Sequence, residues 1–466
     1  MMSKITFRTI IKVLPLQYKT VLRIKIPTLV MLLVASLLGA CSDGSEGLNQ
    51  ASEARDYAVG ITMRTFVDTT RSTAAHANLP EVPTRTIETT IVYPTEGTPG
   101  DEVVLDADVY EFDVPFPLVV LGHGLGGSVD SLLSLAQSWA SRGYVVALPA
   151  FPLTNSATRG GPGQQDTQNQ PADVSFVIDE IIAEGASSGA LLSNAIDEQR
   201  LAAGGHSNGG VTTYGIALHT CCRDQRLDAA IVLSGAPGPY SGGEYDPSIA
   251  PPMMVIHGVN DILLSYNGTV RFYNQLLPPK SFLTLEEYDH SSYLFQDDPA
   301  FEVVAQSTGD FLDGILRDDR EALEQLPEEY QVPGLATIYW APDEASNVEV
   351  ETAPEPETNR QAFLSADSEL TDGQVITVTW SGYLPGGTVN IIQCVEGNTS
   401  SAGCNISGGK VLFPNPLGSG STELTVRTGP TGDGVCDRSN PCAIIVNDSG
   451  LTEEGSSVRI PITFAG

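Results

Sequence analysis

Basic residues are what this chain has least of. Only 24 Lys and Arg stand against 57 Asp and Glu in 466 residues, a net charge of −33. That balance excludes sequence-independent binding of nucleic acid and electrostatic docking on anionic lipid, both of which need a cationic face. Charged residues make up just 17%, and the acids are spread along the chain, so no acidic disordered tail is expected. Histidine is scarce too: there are six, and none follows His290. No Cys-x-x-Cys occurs, which leaves a zinc site without its usual ligands. No glycine-rich loop ends in Gly-Lys-Ser/Thr, so there is no phosphate loop. Neither a metal nor an organic cofactor is expected. What is plentiful is apolar residues, 41%, with 46 Gly and 31 Pro to turn the chain. That is enough for sizeable cores in about three domains, or in one large enzyme domain and a smaller one.

The first forty residues form a separate object. Lys4, Arg8, Lys12, Lys19, Arg23 and Lys25 precede an apolar run from Pro27 to Leu38, with no acid before Asp43. The run is too short for a comfortable bilayer span and suits a signal-peptide core. It closes on Leu38-Gly39-Ala40-Cys41, which resembles the lipobox of bacterial lipoproteins. That resemblance implies cleavage before Cys41 and a lipid on its sulfur as the bilayer anchor. Ser42, rather than Asp, follows, which favours sorting to an outer membrane or cell surface. The competing reading is an ordinary secretory peptide with an incidental cysteine. Losing the leader's six bases leaves 18 bases against 57 acids, a net of −39 on the exported chain.

Cysteine usage agrees with export. Cys394, Cys404, Cys436 and Cys442 lie at short spacings near the C-terminus and read as two local disulfides, 394–404 and 436–442. The adjacent Cys221 and Cys222 fit either a strained vicinal disulfide or two buried thiols.

Residues 41–57 read as a polar tether. Strands are expected over 59–67, 84–93, 117–121, 144–150, 200–204, 228–234, 253–257 and 281–287. Helices are expected over 131–142, 172–185, 208–220, 263–277 and 300–316. Strands alternating with helices imply an α/β domain over 58–340, with a mostly parallel sheet covered on both faces. Residues 341–362 read as a Pro/Glu/Thr linker, extended by proline and charge repulsion. From 363 to 466, short alternating stretches between Gly, Pro and Asn turns predict a small all-β, immunoglobulin-like sandwich.

The chemistry concentrates at Gly205-His206-Ser207-Asn208-Gly209, between a buried strand and a helical pattern. This is the context of a Gly-x-Ser-x-Gly elbow, in which a tight turn exposes a serine hydroxyl as a nucleophile. His290 follows the last predicted parallel strand, where the chain order Ser, acid, His places the base. Asp261, just past strand 253–257, is the candidate acid that orients and stabilises the imidazolium. A helix-capping aspartate before 263–277 is its competitor. Asp289 ranks lower, since neighbouring residues at a strand end point apart. His257 reads as a packing or supporting residue. The oxyanion donors are expected to be the backbone N–H groups of Asn208 and of Leu125, the latter in Gly122-His123-Gly124-Leu125-Gly126-Gly127.

Together these motifs look like the α/β-hydrolase fold over roughly 58–326. The early strands and His123-Gly124-Leu125-Gly126-Gly127 are similar to bacterial relatives of platelet-activating-factor acetylhydrolases and dienelactone hydrolases. The elbow and the position of Asp261 look more like bacterial cutinases and polyester hydrolases. The resemblance implies Ser207 as nucleophile, Asp261 as acid and His290 as base, with Leu125 and Asn208 forming the oxyanion hole. The cutinase pattern has an aromatic platform where this chain has Leu125. Only residues 235–250 separate two strands where a lid is often inserted, and the loop 154–171 is the one element long enough to shape the entrance.

The C-terminal stretch resembles a neocarzinostatin-type domain through Leu370-Thr371-Asp372-Gly373-Gln374, Gln393-Cys394, Cys404-Asn405 and Cys436 to Cys442. Both disulfide pairings follow from that resemblance as well as from spacing. Its expected role is that of an accessory domain, holding the enzyme on a surface or acting as a spacer.

The reading is thus an exported, lipid-anchored carboxylester hydrolase acting on a neutral, bulky or polymeric ester. A phospholipid acetylhydrolase-like, amidase, peptidase or acyltransferase activity with the same triad stays open. So does an inactive surface-binding protein on a hydrolase scaffold.

Overall fold

A computed structural model describes residues 56–465 except 101, 113, 239, 354–358, 384–388, 398–402, 406–407, 413–417, 432–433 and 448–456. The expected leader, Cys41 and nearly all of the expected tether lie outside the described residues. Tyr57 belongs to the folded domain and not to the tether: its N–H donates to the Ser141 carbonyl at 2.6 Å and its ring meets Tyr110 edge-on.

The N-terminal domain is built on one mixed sheet. Its strands are β1 (Ala58–Asp68), β2 (Arg85–Thr95), β3 (Val104–Leu105), β4 (Phe116–Gly122), β5 (Val145–Ala150), β6 (Ile196–His206), β7 (Leu227–Leu233), β8 (Met253–Gly258), β9 (Lys280–Leu285) and β10 (Ala336–Ala341). The spatial order is β10-β9-β8-β7-β6-β4-β5-β2-β1-β3. Strands β4 to β9 run parallel, while β1, β2 and β10 add antiparallel edges. The central strands are apolar along their whole length because both faces are covered: Leu118–Leu121, Ile231–Leu233 and Met254–Ile256 are buried.

Helices α1 (Leu133–Ser141), α5 (Pro299–Leu316) and α6 (Arg320–Glu329) pack one face around Trp139, Phe311 and Leu326. Helices α2 (Gln170–Ala186), α3 (Asn208–Leu218) and α4 (Tyr266–Gln275) pack the other, with Val177, Ile181, Tyr214 and Tyr273 turned inward. Helix α5 starts where the sequence provides an Asp298 cap and Pro299 in the first turn. Helix α6 and strand β10 were not anticipated: α6 is mostly polar with only Leu326 buried, and β10 is a six-residue edge strand. Among the described residues no helix is long and apolar enough to cross a membrane.

The C-terminal strands are β11 (Gln361–Leu364), β12 (Val375–Ser381), β13 (Val389–Val395), β14 (Lys410–Leu412), β15 (Gly420–Thr425), β16 (Gly429–Thr431), β17 (Gly434–Cys436), β18 (Cys442–Asn447) and β19 (Ser457–Ile462). A three-stranded sheet (β11-β12-β15) and a four-stranded sheet (β14-β13-β18-β19) share one core, and β16 and β17 form a ribbon. Ile376, Val378, Trp380 and Leu424 from the first sheet meet Val389, Ile391, Ile444 and Ile462 from the second. Cys394–Cys404 and Cys436–Cys442 are disulfides, as is Cys221–Cys222.

The linker expectation is corrected in part. Val350 and Ala353 do not hang free but are tied to α4. Asn274 exchanges two hydrogen bonds with the Val350 backbone (3.0 Å each), and Asn267 exchanges two with Ala353 (2.8 and 2.7 Å). Val350 is buried against Tyr273 and Phe282. Two asparagine side chains thus act as an edge for an otherwise unpaired strap, which composition alone does not reveal. We expect the double variant Asn267→Ala/Asn274→Ala to lose about 2 kcal/mol of stability, at about 1 kcal/mol per reciprocal pair. Limited proteolysis should then cut near Val350–Ala353 faster than in the parent.

Candidate functional site

The parallel strands all deliver their C-terminal ends to one edge of the sheet, where the loops carrying the candidate residues meet. Ser207 is the single residue between β6 and α3. Its backbone sits at φ 56°, ψ −118°. A non-glycine residue in this region is strained by about 1–3 kcal/mol, so surrounding contacts must hold it there. The Ser207 N–H donates to the Leu233 carbonyl at 2.9 Å, and its carbonyl accepts from Val211 N–H at 2.9 Å. Two glycines let the turn close. A Cβ on Gly205 would overlap the Gly209 carbonyl, and one on Gly209 would overlap the Gly122 carbonyl of β4.

Asp261 and His290 are brought together: His290 Nδ1–H donates to Asp261 Oδ2 at 2.6 Å. Asp261 Oδ1 accepts the N–H groups of Leu263 (2.8 Å) and Leu264 (3.0 Å). The carboxylate therefore shapes its own loop, but it does not cap α4. That helix starts at Tyr266, later than expected, and Ser265 caps it by accepting from Gly268 N–H. The loops of the acid and the base are pressed together at Gly258, where a Cβ would overlap the Tyr288 carbonyl. Asp289 turns away and accepts the N–H groups of Ser291 and Ser292.

Two histidines acquire roles that spacing did not disclose. His257 is fully buried, and its Nε2 lies 3.0 Å from Asp261 Oδ2 and 3.1 Å from the Leu264 carbonyl. Both neighbours are acceptors, so Nε2 carries the proton. Burial opposes the charge on Asp261, but hydrogen bonds from His257 and His290 outweigh it and hold the carboxyl well below its usual range. His206, inside the elbow, donates from Nε2 to the His290 carbonyl at 2.8 Å, and the two rings lie 4.8 Å apart. Burial, reinforced by the neighbouring His290, pushes His206 down to about 3, so it stays neutral and locks the backbone of the His290 loop.

The glycine-rich loop after β4 lies against the serine: a Cβ on Gly124 would sit 3.1 Å from Ser207 Cβ and 3.5 Å from its Oγ. His123 staples this loop. Its Nδ1–H donates to the Gly124 carbonyl at 2.7 Å and its Nε2 accepts Phe151 N–H at 3.1 Å. Burial lowers its pKa, so it too is held neutral. Gly126 and Gly127 N–H are engaged by Thr154 and Gly124 carbonyls. Among the described residues neither Leu125 N–H nor Asn208 N–H has a partner. Asn208 is the first residue of α3, where N–H groups are free and the helix dipole favours negative charge. Ser207 Oγ and His290 Nε2 are not hydrogen-bonded to each other in this conformation; in ligand-free sites this contact commonly tightens only with substrate.

One His/Cys group has metal-like spacing among the described residues, His219 with Cys221 and Cys222 within 4.8 Å, and its two sulfurs are bonded to each other. His219 is buried between Tyr240 and Tyr245.

Comparison with known proteins adds the following. Residues 363–464 match the neocarzinostatin family. They form a neocarzinostatin-family domain. Among solved structures, the chain is similar to a ferulic acid esterase from Streptomyces cinnamoneus at 22% identity and a TM-score of 0.44. That match covers 57% of this chain and 93% of the other. No curated protein matches. The neocarzinostatin-family domain includes both C-terminal disulfides.

Burial makes the folded chain bind fewer protons than the unfolded chain, whose histidines titrate near 6.5. Stability from His206 is therefore complete above pH ~6.5 and is lost as pH falls toward about 3. We expect His206→Phe to narrow the stability difference between pH 7 and pH 4.5 by about 2–3 kcal/mol. Urea unfolding at the two pH values checks this, and an unchanged difference contradicts it.

Proposed function

We propose that this protein is a serine carboxylester hydrolase of the α/β-hydrolase class, working through an acyl-enzyme. The observation that carries the reading is Ser207 at φ 56° on a strand-to-helix turn, beside the Asp261–His290 pair and two uncommitted backbone N–H groups.

In the proposed mechanism Ser207 Oγ attacks the ester carbonyl carbon and its proton passes to His290 Nε2. Asp261 holds the imidazole by Nδ1 and stabilises its positive charge. The N–H groups of Leu125 and Asn208 receive the negative charge that develops on the carbonyl oxygen. Collapse of the tetrahedral intermediate breaks the bond to the alcohol, which leaves with the proton from His290. A water molecule, deprotonated by His290, then attacks the acyl-enzyme; the second intermediate expels Ser207 and the acid departs.

Substrate class follows from charge and surface. An exported chain at −39 repels anionic polymers, so a neutral ester is preferred. Exposed Leu125 carries an oxyanion donor, exposed Ile262 follows the acid in sequence, and exposed Phe295 lies five residues after the base. These apolar residues favour a bulky or polymeric ester of the kind cutinases and polyester hydrolases take. We propose further that a lipid on Cys41 holds the protein at a bacterial outer membrane or cell surface, and that the C-terminal domain is an accessory module.

Graded p-nitrophenyl esters and a polyester film test the activity. Ser207→Ala should lower kcat by at least about a thousandfold with the chain still folded; equal activity in parent and variant would refute the assignment. Cys41→Ser should move the protein from the membrane fraction to the soluble fraction. Truncation before Gln361 keeps the strap on α4. It should leave small-ester turnover intact and lower film binding if the accessory module holds polymer.

A further inference from the structure

The two expected oxyanion donors come from segments far apart in sequence that meet directly at Gly122 and Gly209 and at Gly124 and Ser207. A buried bridge of side chains joins them. Gln170, the first residue of α2, is fully buried and sits at its centre. Its Oε1 accepts Asn208 Nδ2–H at 3.1 Å and the Thr212 hydroxyl, so it grips the first turn of α3 just after Ser207. Its Nε2–H donates to Thr154 Oγ1 at 2.6 Å. Thr154 is also fully buried, and its carbonyl accepts Gly126 N–H at 2.7 Å, next to Leu125. Thr167 completes the grip by donating to Asn208 Oδ1 at 2.9 Å. One amide thus ties the residue after the nucleophile to the loop that carries the other donor.

The bridge is itself pinned from below. Arg85, at the start of β2, is fully buried and donates four hydrogen bonds of 2.6–3.0 Å to Asp166 and Asp173. These acids bracket Thr167 and Gln170 in sequence. Arg71 adds a bond to Asp173 at 2.8 Å and binds Asp68, the residue paired with Arg85 across β1 and β2. A buried guanidinium between two carboxylates tolerates little displacement, because moving either partner leaves a charge unpaired.

We propose that Gln170 is a positioning residue that sets the separation of the Leu125 and Asn208 N–H groups, and that the Arg85–Asp166–Asp173 cluster holds it in register. The inference rests on the serine-esterase reading above. Its consequence is selective. The bridge is buried and makes no hydrogen bond to Ser207 Oγ, so its loss should weaken transition-state stabilisation more than ground-state binding. Misplacing a group by about 1 Å costs on the order of a hundredfold in rate.

The test uses the full chain with Gln170→Met, which removes the amide at similar length. Thr154→Val cuts one arm of the bridge, and Thr154→Ser keeps its hydroxyl. A fluorophosphonate titration counts reactive Ser207, so kcat is read per competent site and partial unfolding does not enter. For Gln170→Met we expect kcat to fall roughly tenfold to a hundredfold, less than the roughly hundredfold to thousandfold loss on removing an oxyanion donor outright, with KM changed less than about threefold. Affinity for a trifluoromethyl ketone, whose adduct places an oxyanion in the same position, should weaken by a similar factor. Thr154→Val should lower kcat in the same way, Thr154→Ser should restore it, and the two losses should be non-additive in the double variant. An unchanged kcat per site, or a loss of kcat with undiminished ketone affinity, would overturn the proposal. If Ser207→Ala is as active as the parent, the esterase reading fails instead, and the two outcomes are separable.

Discussion

A serine held in a backbone conformation that serine avoids is the constraint on which the rest of this structure depends. Ser207 reaches φ 56° because β6 ends against β4 and β7 with almost no side-chain volume between them. Gly205, Gly209 and Gly122 let three backbone segments touch, and the Leu233 carbonyl takes the Ser207 N–H. The strain is small beside the packing of a sheet buried on both faces, so the scaffold can impose it. The same geometry aims the first turn of α3 at the space in front of the hydroxyl.

Around that turn, histidine serves mainly as a structural hydrogen-bonding group. His123 holds the glycine-rich loop, His206 holds the backbone of His290, and His257 shares the carboxylate of Asp261. Burial lowers the pKa of His123 and His206. Neutral imidazole supplies one donor and one acceptor in a fixed geometry, which is what loops at a sheet edge lack. In a chain so short of bases, the fully buried Arg85 binds two carboxylates, Asp166 and Asp173, and so anchors the segment that carries Thr167 and Gln170.

Much of this was legible in the chain. The Gly-x-Ser-x-Gly turn has to lie between an apolar strand and a helix, and the expected strand 200–204 and helix 208–220 fall inside or within two residues of β6 and α3. The order of Ser207, Asp261 and His290 follows from strand ends, each of which the alternation of apolar runs locates. The cysteine spacings near the C-terminus favour local pairing, and Cys394–Cys404 and Cys436–Cys442 are the bonds found.

The sequence by itself determined the local pattern: which serine sits at a strand-to-helix turn, which turns need glycine, which cysteines lie at short spacings. Only the tertiary structure decided the long-range polar contacts. Gln170 meets Asn208 across 38 positions and Thr154 across 16, and Arg85 meets Asp173 across 88. Neither Gln170 nor Arg85 has a periodic signature, because a single buried hydrogen bond leaves no pattern along the chain. The same holds for Asn267 and Asn274, which turn an acidic, proline-bearing stretch into a strap on α4. Hydrophobic periodicity records which face of an element is buried; it carries no information about which polar group waits on the other side.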